Sequence, residues 1–214
     1  MLTYLARVLR SLLAHSVSLE RPPLSPVSEI HRPPRGRILA TTPIRYDRTS
    51  ILLHWVTAAL VVLLWLIAHW IDDFPRGPQR IAARSVHILL GVTLLAVVLL
   101  RMAWRVKWGH RLPLARQGPA GYLAKTVHYA LYALLLAVLL LGVANVWVRG
   151  DSFFGLFTVP KFSPDPKLKE SVENLHETVA NIVLIVAGLH ALAALAHHYF
   201  MRDGVLKRML PGGE

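Results

Sequence analysis

The feature that most constrains this chain is a long apolar segment that carries four histidines. It runs from Leu175 to Phe200, and the histidines are His176, His190, His197 and His198. The segment is longer than the ~20 residues that an α-helix needs to cross a hydrocarbon core. His176 and His190 are fourteen residues apart, which on a helix is almost four turns and about 21 Å along the axis. We therefore expect them to project from nearly the same face at two depths of a bilayer.

Three more apolar segments of membrane-spanning length precede this one. They run from Ser50 to Ile71, from Val86 to Trp104 and from Tyr122 to about Val148. The chain is 54% hydrophobic and only 17% charged, whereas about a quarter of the residues are charged in a typical soluble domain. The sequence therefore predicts an all-α integral membrane four-helix bundle, and residues 46–214 form this single membrane domain.

Residues 1–45 differ in composition from the rest of the chain. The first twenty could form a basic amphipathic helix, and the following RPPLSPVSEIHRPPRGR is too rich in proline and arginine for regular structure. A secretory signal fits poorly, because arginines interrupt the apolar stretch and no small-residue cleavage site follows. We interpret this segment as a basic, proline-rich cytoplasmic extension whose start could lie at the membrane interface.

Lysine and arginine are unequally divided between the two sides of the predicted bundle. The side of the chain termini carries 15 of them, and the other two loops carry 7. Cytoplasmic segments hold the excess of basic residues in membrane proteins, so both termini are predicted to be cytoplasmic. The net charge of +12 could indicate nucleic-acid binding, but the basic residues lie between apolar segments rather than along one polar face. We expect no nucleic-acid partner.

This orientation gives each membrane histidine a depth. His87 and His176 each open a helix that descends from the outer side. His54 and His128 lie in the early turns of helices that ascend from the inner side, and His190 is the deepest of the set. The fourth helix therefore offers one ligand to an outer site and one to an inner site.

Histidines at matched depths on different helices favour a particular cofactor. The absence of cysteine excludes disulfides, iron–sulfur clusters and covalently attached c-type haem. Two histidines that face each other across a bundle can hold both axial positions of a b-type haem. Small residues lie where such a ring would pack, namely Gly91, Ala187 and Gly188. A divalent-metal site and a proton-coupled transporter with a histidine relay are the alternatives, since polar groups at this depth are costly and mark functional sites.

The remaining histidines lie near the ends of the spans. His197 and His198 end the fourth helix, where anchoring at the interface is the usual role of such residues. His197 follows His190 by seven residues, so it shares its face and could hydrogen-bond a quinone or a haem propionate. His69 follows His54 by fifteen residues and could serve an outer site, but its position beside Trp70 at the interface favours an anchoring role.

The chain resembles a known family, the bacterial cytochrome b561 proteins, which are small four-helix di-haem proteins of the inner membrane. The resemblance covers about residue 45 to the C-terminus. Four motifs carry it: ILLHW at 51–55, VHILLG at 86–91, TVHYALYALLL at 126–136 and HETVANIVLIVAGLHALAALAHHYF at 176–200.

The resemblance implies two haem b groups and assigns their ligands. The outer haem falls to His87 and His176, and the inner haem falls to His54 and His190. His128 matches a family histidine that this pairing leaves without an iron. It joins His197 and His198 as a candidate for contacting a quinone or for supporting an iron ligand.

The resemblance is closest to the superoxide:ubiquinone oxidoreductase type, which implies oxidation of superoxide at the periplasmic face and reduction of ubiquinone. An alternative is a haem-anchoring membrane subunit that relays electrons between a partner dehydrogenase or hydrogenase and quinone. Basic residues of the outer loops could attract superoxide, although contact with solvent or lipid phosphate would explain them equally well. These residues are Arg76, Arg80, Arg84, Lys161, Lys167 and Lys169.

Overall fold

The computed structural model describes residues 45–109, 112–113 and 118–211. The amphipathic helix and the proline-rich extension predicted before residue 45 lie outside these residues. Within them, four long helices form the bundle: α1 Arg48–Trp70, α2 Pro78–Lys107, α3 Pro119–Arg149 and α4 Pro166–Ala196. Each of the four is long and apolar enough to cross a membrane. The predicted all-α, four-helix membrane architecture is confirmed.

Short elements extend or join the long helices. A 3-10 turn, Ile71–Asp73, follows α1, and a π-helical turn, His197–Met201, follows α4. A second 3-10 turn, Leu206–Met209, lies near the end of the described chain. Two strands, β1 Ser152–Phe153 and β2 Phe157–Thr158, pair antiparallel between α3 and α4.

Side-chain caps and a glycine fix several helix ends. The Asp47 carboxylate accepts a hydrogen bond from the backbone N–H of Ser50 at 2.9 Å and so caps α1. Asp165 caps α4 in the same way through the N–H of Lys167, also at 2.9 Å. α3 ends at Arg149 and is followed by Gly150, whose φ of 65° lies in the left-handed region that glycine adopts without strain.

α2 and α4 both begin well before their apolar segments. α2 starts at Pro78, eight residues before Val86, and α4 starts at Pro166, nine residues before Leu175. Hydropathy marks only the residues that lie in hydrocarbon, whereas a helix with solvated polar side chains can continue past the lipid. Proline at the first helical position favours both early starts. The helices therefore extend beyond the apolar core at one end of the bundle.

The four helices run alternately up and down. α1 packs mainly against α2 and α3 mainly against α4, and contacts of α2 with α3 and of α1 with α4 close the bundle. Both ends of the described chain meet, since the Tyr46 N–H donates to the Arg208 carbonyl at 3.1 Å and Trp55 Nε1 donates to the Met209 carbonyl at 2.7 Å. We call this the terminal end of the bundle. The opposite end, which carries β1 and β2, is the hairpin end.

The hairpin is held to the start of α2 by a buried serine. Ser85 Oγ accepts a hydrogen bond from the Phe154 N–H at 2.8 Å and donates to the Ile81 carbonyl at 2.8 Å. Ser85 is fully buried, so these bonds replace the water that its hydroxyl would otherwise bind. The loop between α3 and α4 is thereby fixed close to His87, which lies two residues further along α2.

The core is a thin apolar layer at mid-height. It consists of Leu64, Leu94, Val98, Leu135, Leu139 and Val183. Val183 lies midway between His176 and His190 on α4, so this layer separates two levels of histidines. Many other large apolar side chains face outward, for example Leu192 at 63% exposure. An outward apolar surface is costly in water but is what a lipid-facing bundle requires.

Candidate functional site

Two histidines from α2 and α4 face each other toward the hairpin end. The ring centres of His87 and His176 are 6.5 Å apart, and their planes cross at 80°. His176 Nδ1 lies 3.1 Å from the Val138 carbonyl, which can only accept, so Nδ1 carries the proton and Nε2 is left to bind a metal. His87 Nδ1 is buried and has no hydrogen-bond partner among the described residues. We call His87 and His176 the hairpin-end pair.

α3 approaches the His176 ring at a glycine. A Cβ atom at Gly142 would lie 3.2 Å from Cε1 of His176, so even an alanine there would require the ring to move. Four residues earlier, Val138 supplies the carbonyl that accepts from His176. α3 therefore contributes both the space for the ring and the group that orients it.

A second pair of histidines, from α1 and α4, lies toward the terminal end. The ring centres of His54 and His190 are 6.4 Å apart with planes at 79°, close to the geometry of the first pair. A guanidinium nitrogen of Arg101 lies 2.9 Å from His54 Nδ1. Because arginine can only donate, Nδ1 acts here as the acceptor. We call His54 and His190 the terminal-end pair.

A third histidine lies at the level of the terminal-end pair. The His128 ring centre, on α3, is 5.2 Å from that of His190, with planes at 76°. Nδ1 of His128 donates to the Ala124 carbonyl at 2.6 Å. The structure thus brings His54, His128 and His190 together, as their depths in the sequence had suggested.

Ring spacing tests which pairs could share one metal ion. An imidazole nitrogen binds a metal at about 2.0 Å and lies roughly 1.1 Å from its ring centre, so two imidazoles on opposite sides of an ion have centres about 6.2 Å apart. The separations of 6.4 and 6.5 Å in the two pairs fit this value, whereas 5.2 Å between His128 and His190 is short. The geometry favours His54 over His128 as the partner of His190, and the ligand assignment stays a prediction.

The donor sets suit a haem better than a bare ion. Within the part of the chain that the structure describes, no group of three or more histidine or acidic side chains could hold a metal, and two neutral imidazoles alone would leave an ion with too few ligands. A haem brings four nitrogen ligands of its own and needs only two axial ones. A Cβ at Gly91, one turn after His87, would meet no other atom within 4 Å, which leaves space beside this ligand. Gly188 also has open space around it, but it is exposed on the outer surface of the bundle.

A network of charges lies one turn from the hairpin-end pair. Arg84 precedes His87 by three residues, and Glu173 precedes His176 by three. Arg149, at the end of α3, contacts both the Glu173 carboxylate and Asp151, the latter at 3.4 Å. Arg84 lies 3.5 Å from the same Asp151 oxygen. The network therefore joins α2, α3, α4 and the hairpin directly beyond the imidazoles.

This network borders a pocket of about 250 Å³. Its lining comprises Ile81, Arg84, Arg149, Gly150, Asp151, Ser152 and Lys169. Burial raises the pKa of the Asp151 carboxyl, and the guanidinium groups of Arg149 and Arg84 act in the opposite direction. Glu173 pairs with Arg149 and lies 4.0 Å from Lys169, so three basic side chains face two carboxylates and the pocket keeps a small excess of positive charge.

The structure separates the six basic residues that were predicted to attract an anion. Arg84 and Lys169 line the pocket. Arg80 pairs with Asp72 at 3.4 Å and donates to the Phe74 carbonyl at 2.8 Å, so it holds the turn after α1. The other three, Arg76, Lys161 and Lys167, do not line the pocket.

Sequence reasoning missed two arginines that the structure places beside the histidines. Arg149 is central to the charge network, and its position directly after the third apolar segment was the available signal. Arg101 lies inside the second apolar segment, where a charged residue is itself a sign of function. A hydropathy pattern shows only that Arg101 lies within a membrane span and that Arg149 lies at the end of one. It gives no information about the partners of either side chain.

The remaining predicted residues lie near the helix ends. His197, in the π-helical turn, donates through Nδ1 to the Asp203 carboxylate. The His198 ring lies 4.9 Å from that of its neighbour Tyr199. His69 stacks on Trp65 at 5.6 Å and 14°. Of these, His197 alone combines a fixed tautomer with the α4 face that carries His190.

The chain is similar to several known proteins. Residues 45–212 match the family model described as "Prokaryotic cytochrome b561". "Cytochrome b561 homolog 1" of Escherichia coli (strain K12) is 32% identical over 171 residues, which cover 78% of this chain and 97% of that protein. "Cytochrome b561 homolog 2" of the same organism is 30% identical over 177 residues, covering 79% and 93%.

A third relative carries a functional name. "Probable superoxide oxidase CybB" of Yersinia pestis is 29% identical over 170 residues, which cover 78% of this chain and 96% of that protein. The resemblance seen in the histidine motifs is confirmed by these matches. The chain is therefore a multi-pass membrane protein of the prokaryotic cytochrome b561 family, whose members bind b-type haem and transfer electrons in the membrane.

Proposed function

We propose that this chain carries electrons across the bacterial inner membrane through two haem b groups, from superoxide at the hairpin end to ubiquinone near the terminal end. One observation carries the proposal: two imidazole pairs of nearly equal geometry share α4 and lie at two depths. Fourteen residues separate His176 from His190, which corresponds to about 21 Å along the helix. This arrangement suits electron transfer across the thickness of a membrane.

In this proposal, His87 and His176 hold the haem nearer the hairpin end, and His54 and His190 hold the other. A haem held by two imidazoles would supply a one-electron couple and would leave no open position for a substrate. The protein fixes the ligands: Val138 accepts the Nδ1 proton of His176, which leaves Nε2 for the iron. Substrates are therefore bound by side chains of the protein, not by the metal.

The pocket at the hairpin end supports a small anion as the electron donor. We propose that this end faces the periplasm, because the basic residues are concentrated on the other side. Arg84, Arg149 and Lys169 give the pocket a positive field that would raise the local concentration of superoxide. Each superoxide gives up one electron and leaves as dioxygen, without any proton transfer at this end.

The proposed acceptor at the terminal end is ubiquinone, which takes two electrons and two protons to become the quinol. Two superoxide anions are thus consumed for each quinone. His197 donates Nδ1–H to Asp203, so its Nε2 is left as an acceptor for a hydroxyl of the quinol. It lies two turns beyond His190 on the same face of α4. We retain His128 and His198 as further candidate contacts.

Stopped-flow spectroscopy with superoxide tests this proposal. We expect reduction of the haem absorbance within the mixing experiment, followed by reoxidation when a short-chain ubiquinone is added. Superoxide dismutase in the same syringe is the control and should abolish the reduction.

Two outcomes would contradict the proposal in different ways. Haems that superoxide does not reduce, in a protein that co-purifies with a soluble redox subunit, would favour a haem-anchoring relay to quinone. A colourless purified protein would favour a transporter with a histidine relay.

A further inference from the structure

Arg101 is a cation within a membrane span that lacks an acidic partner. It belongs to the second apolar segment and is partly buried between helices. Among residues 45–109, 112–113 and 118–211, no aspartate or glutamate forms an ion pair with it. Ionisable groups in membrane spans are retained when they pair with an opposite charge or serve a site. The counter-charge of Arg101 is therefore expected to come from something that binds to the protein.

A tyrosine with an unsatisfied hydroxyl lies against this guanidinium. The Arg101 guanidinium packs over the ring of Tyr132 at 5.3 Å from the ring centre. The Tyr132 hydroxyl is buried and has no hydrogen-bond partner among the described residues. A guanidinium has five N–H donors, and one contact, to His54 Nδ1, is seen. A guanidinium with unused donors on α2 thus lies against a tyrosine of α3 whose hydroxyl has no acceptor.

The contact of Arg101 with His54 cannot persist when His54 binds iron as a neutral imidazole. In the structure, His54 Nδ1 accepts from Arg101, which places the ring proton on Nε2. A haem iron held at Nε2 would leave the ring proton on Nδ1, and Nδ1 would then no longer accept from a guanidinium. Arg101 must therefore turn to another acceptor at the same level of the bundle.

We propose that Arg101 and Tyr132 bind a carboxylate of the haem held by the terminal-end pair. The inference rests on the proposed function in assuming a haem at His54 and His190. Haem b carries two carboxylate side chains, and a guanidinium binds a carboxylate with two parallel hydrogen bonds. The pairing satisfies a buried cation, a buried hydroxyl and a buried anion together.

The charge balance has a measurable consequence for this haem. Without Arg101, the carboxylate remains uncompensated, and its negative charge favours the oxidised, more positive iron. In Arg101→Gln we expect the equilibrium constant for electron transfer from the hairpin-end haem to this haem to fall by about tenfold, which for a one-electron couple is a 59 mV drop in potential. Arg101→Lys keeps the charge and should show a smaller fall, and Tyr132→Phe should lose about threefold.

Redox titration of the purified holoprotein measures these shifts. We expect one of the two haem potentials to fall in Arg101→Gln while the other stays within error. Lys107→Gln is the matched control, because Lys107 is an exposed cation at the end of α2 that lies over the Trp108 ring, and its charge does not act on His54, His128 or Arg101. It should leave both potentials nearly unchanged.

Infrared difference spectroscopy separates a haem carboxylate from any other anion. Protein produced with haem that is ¹³C-labelled at its carboxylates should show a labelled band that shifts between wild type and Arg101→Lys, and more weakly in Tyr132→Phe. A shift confined to unlabelled bands would mean that Arg101 binds an anion from lipid or buffer instead, and would overturn the proposal.

The variants also separate this inference from the wider proposal. If Arg101→Gln does not assemble, the labelled band in Arg101→Lys and Tyr132→Phe decides, and no shift in either would refute the carboxylate site. A wild-type protein with two haems and normal superoxide reduction, but without these effects, would overturn this inference alone. A protein that binds fewer than two haems would instead overturn the proposed function.

Discussion

The hairpin-end pair and the terminal-end pair have nearly the same ring geometry in very different surroundings. Ring centres are 6.5 and 6.4 Å apart in the two pairs, with planes at 80° and 79°. A backbone carbonyl orients His176, and the charged side chains lie one turn away. At the other end, Arg101 contacts His54 directly, and the ring centre of His128 lies 5.2 Å from that of His190. Both pairs take one histidine from α4, so the other helices determine the chemical difference.

Alanine substitution of the two α4 histidines would test this comparison most severely. We expect His176→Ala and His190→Ala each to lose one of two haems, because an axial ligand is removed, and to lose different ones. Pyridine haemochrome analysis per chain measures the stoichiometry, and the redox titration shows which potential remains.

Two matched variants sharpen the ligand assignment. His69→Ala and His128→Ala should both retain two haems, since His69 stacks on Trp65 and His128 lies closer to His190 than an axial partner would. Loss of the terminal-end haem in His128→Ala, with both haems kept in His54→Ala, would reverse the assignment.

Arg149→Gln is expected to weaken the hairpin end specifically. It removes the cation that contacts both Glu173 and Asp151, so the rate of haem reduction by superoxide should fall by about tenfold. The dependence of that rate on salt should also become shallower. Arg76→Gln, which removes a basic residue that does not line the pocket, is the control. Equal losses in the two variants would argue against a local role of the pocket.

Gly142 offers a graded test of the hairpin-end geometry. Alanine there would place a Cβ 3.2 Å from the His176 ring, and valine would crowd it further. We expect the electron paramagnetic resonance signal of one oxidised haem to change slightly in Gly142→Ala and clearly in Gly142→Val, because the signal reports the imidazole orientation. The signal of the terminal-end haem should not change. An unaltered spectrum in the valine variant would show that α3 does not constrain His176.

The smallest expected effect concerns Asp151. Burial raises the pKa of the Asp151 carboxyl above its ordinary value of 3.8. As the pH rises above that value, the unfolded chain therefore loses the Asp151 proton before the folded protein does. This group therefore contributes a stability that is present at lower pH and is lost as pH rises through its folded pKa. Thermal unfolding in detergent between pH 4 and 7 should show a slightly shallower loss in Asp151→Asn than in wild type. Parallel curves would contradict the shift.

Much of this architecture could be read from the sequence because lipid imposes simple rules. The length of an apolar run sets the number of spans, and helical rise converts residue spacing into depth, which placed His176 and His190 at different levels. Hydropathy could not locate the true starts of α2 and α4, since Pro78 and Pro166 begin helices in polar sequence. Where a span enters the lipid and where its helix begins are different questions.

The contacts between side chains of different helices could not be predicted from the sequence, for a different reason. Whether His54 or His128 opposes His190 depends on how α1 and α3 are rotated about their axes, and depth alone leaves that open. The contacts of Arg101 with His54 and Tyr132 join residues that are 47 and 31 positions apart. Such contacts arise only when the helices are assembled. The sequence did contain one indication, because a single arginine within an apolar segment is a sign of a functional site.

The apolar layer around Val183 has an energetic consequence of its own. An electron can tunnel through aliphatic side chains, but a proton needs a chain of hydrogen-bonding groups, and the core residues at this height provide none. In the proposed direction, each electron would thus cross the insulating layer uncompensated. Turnover would then make the inside of the membrane more negative. The oxidation of superoxide would thereby add to the membrane potential that drives other transport.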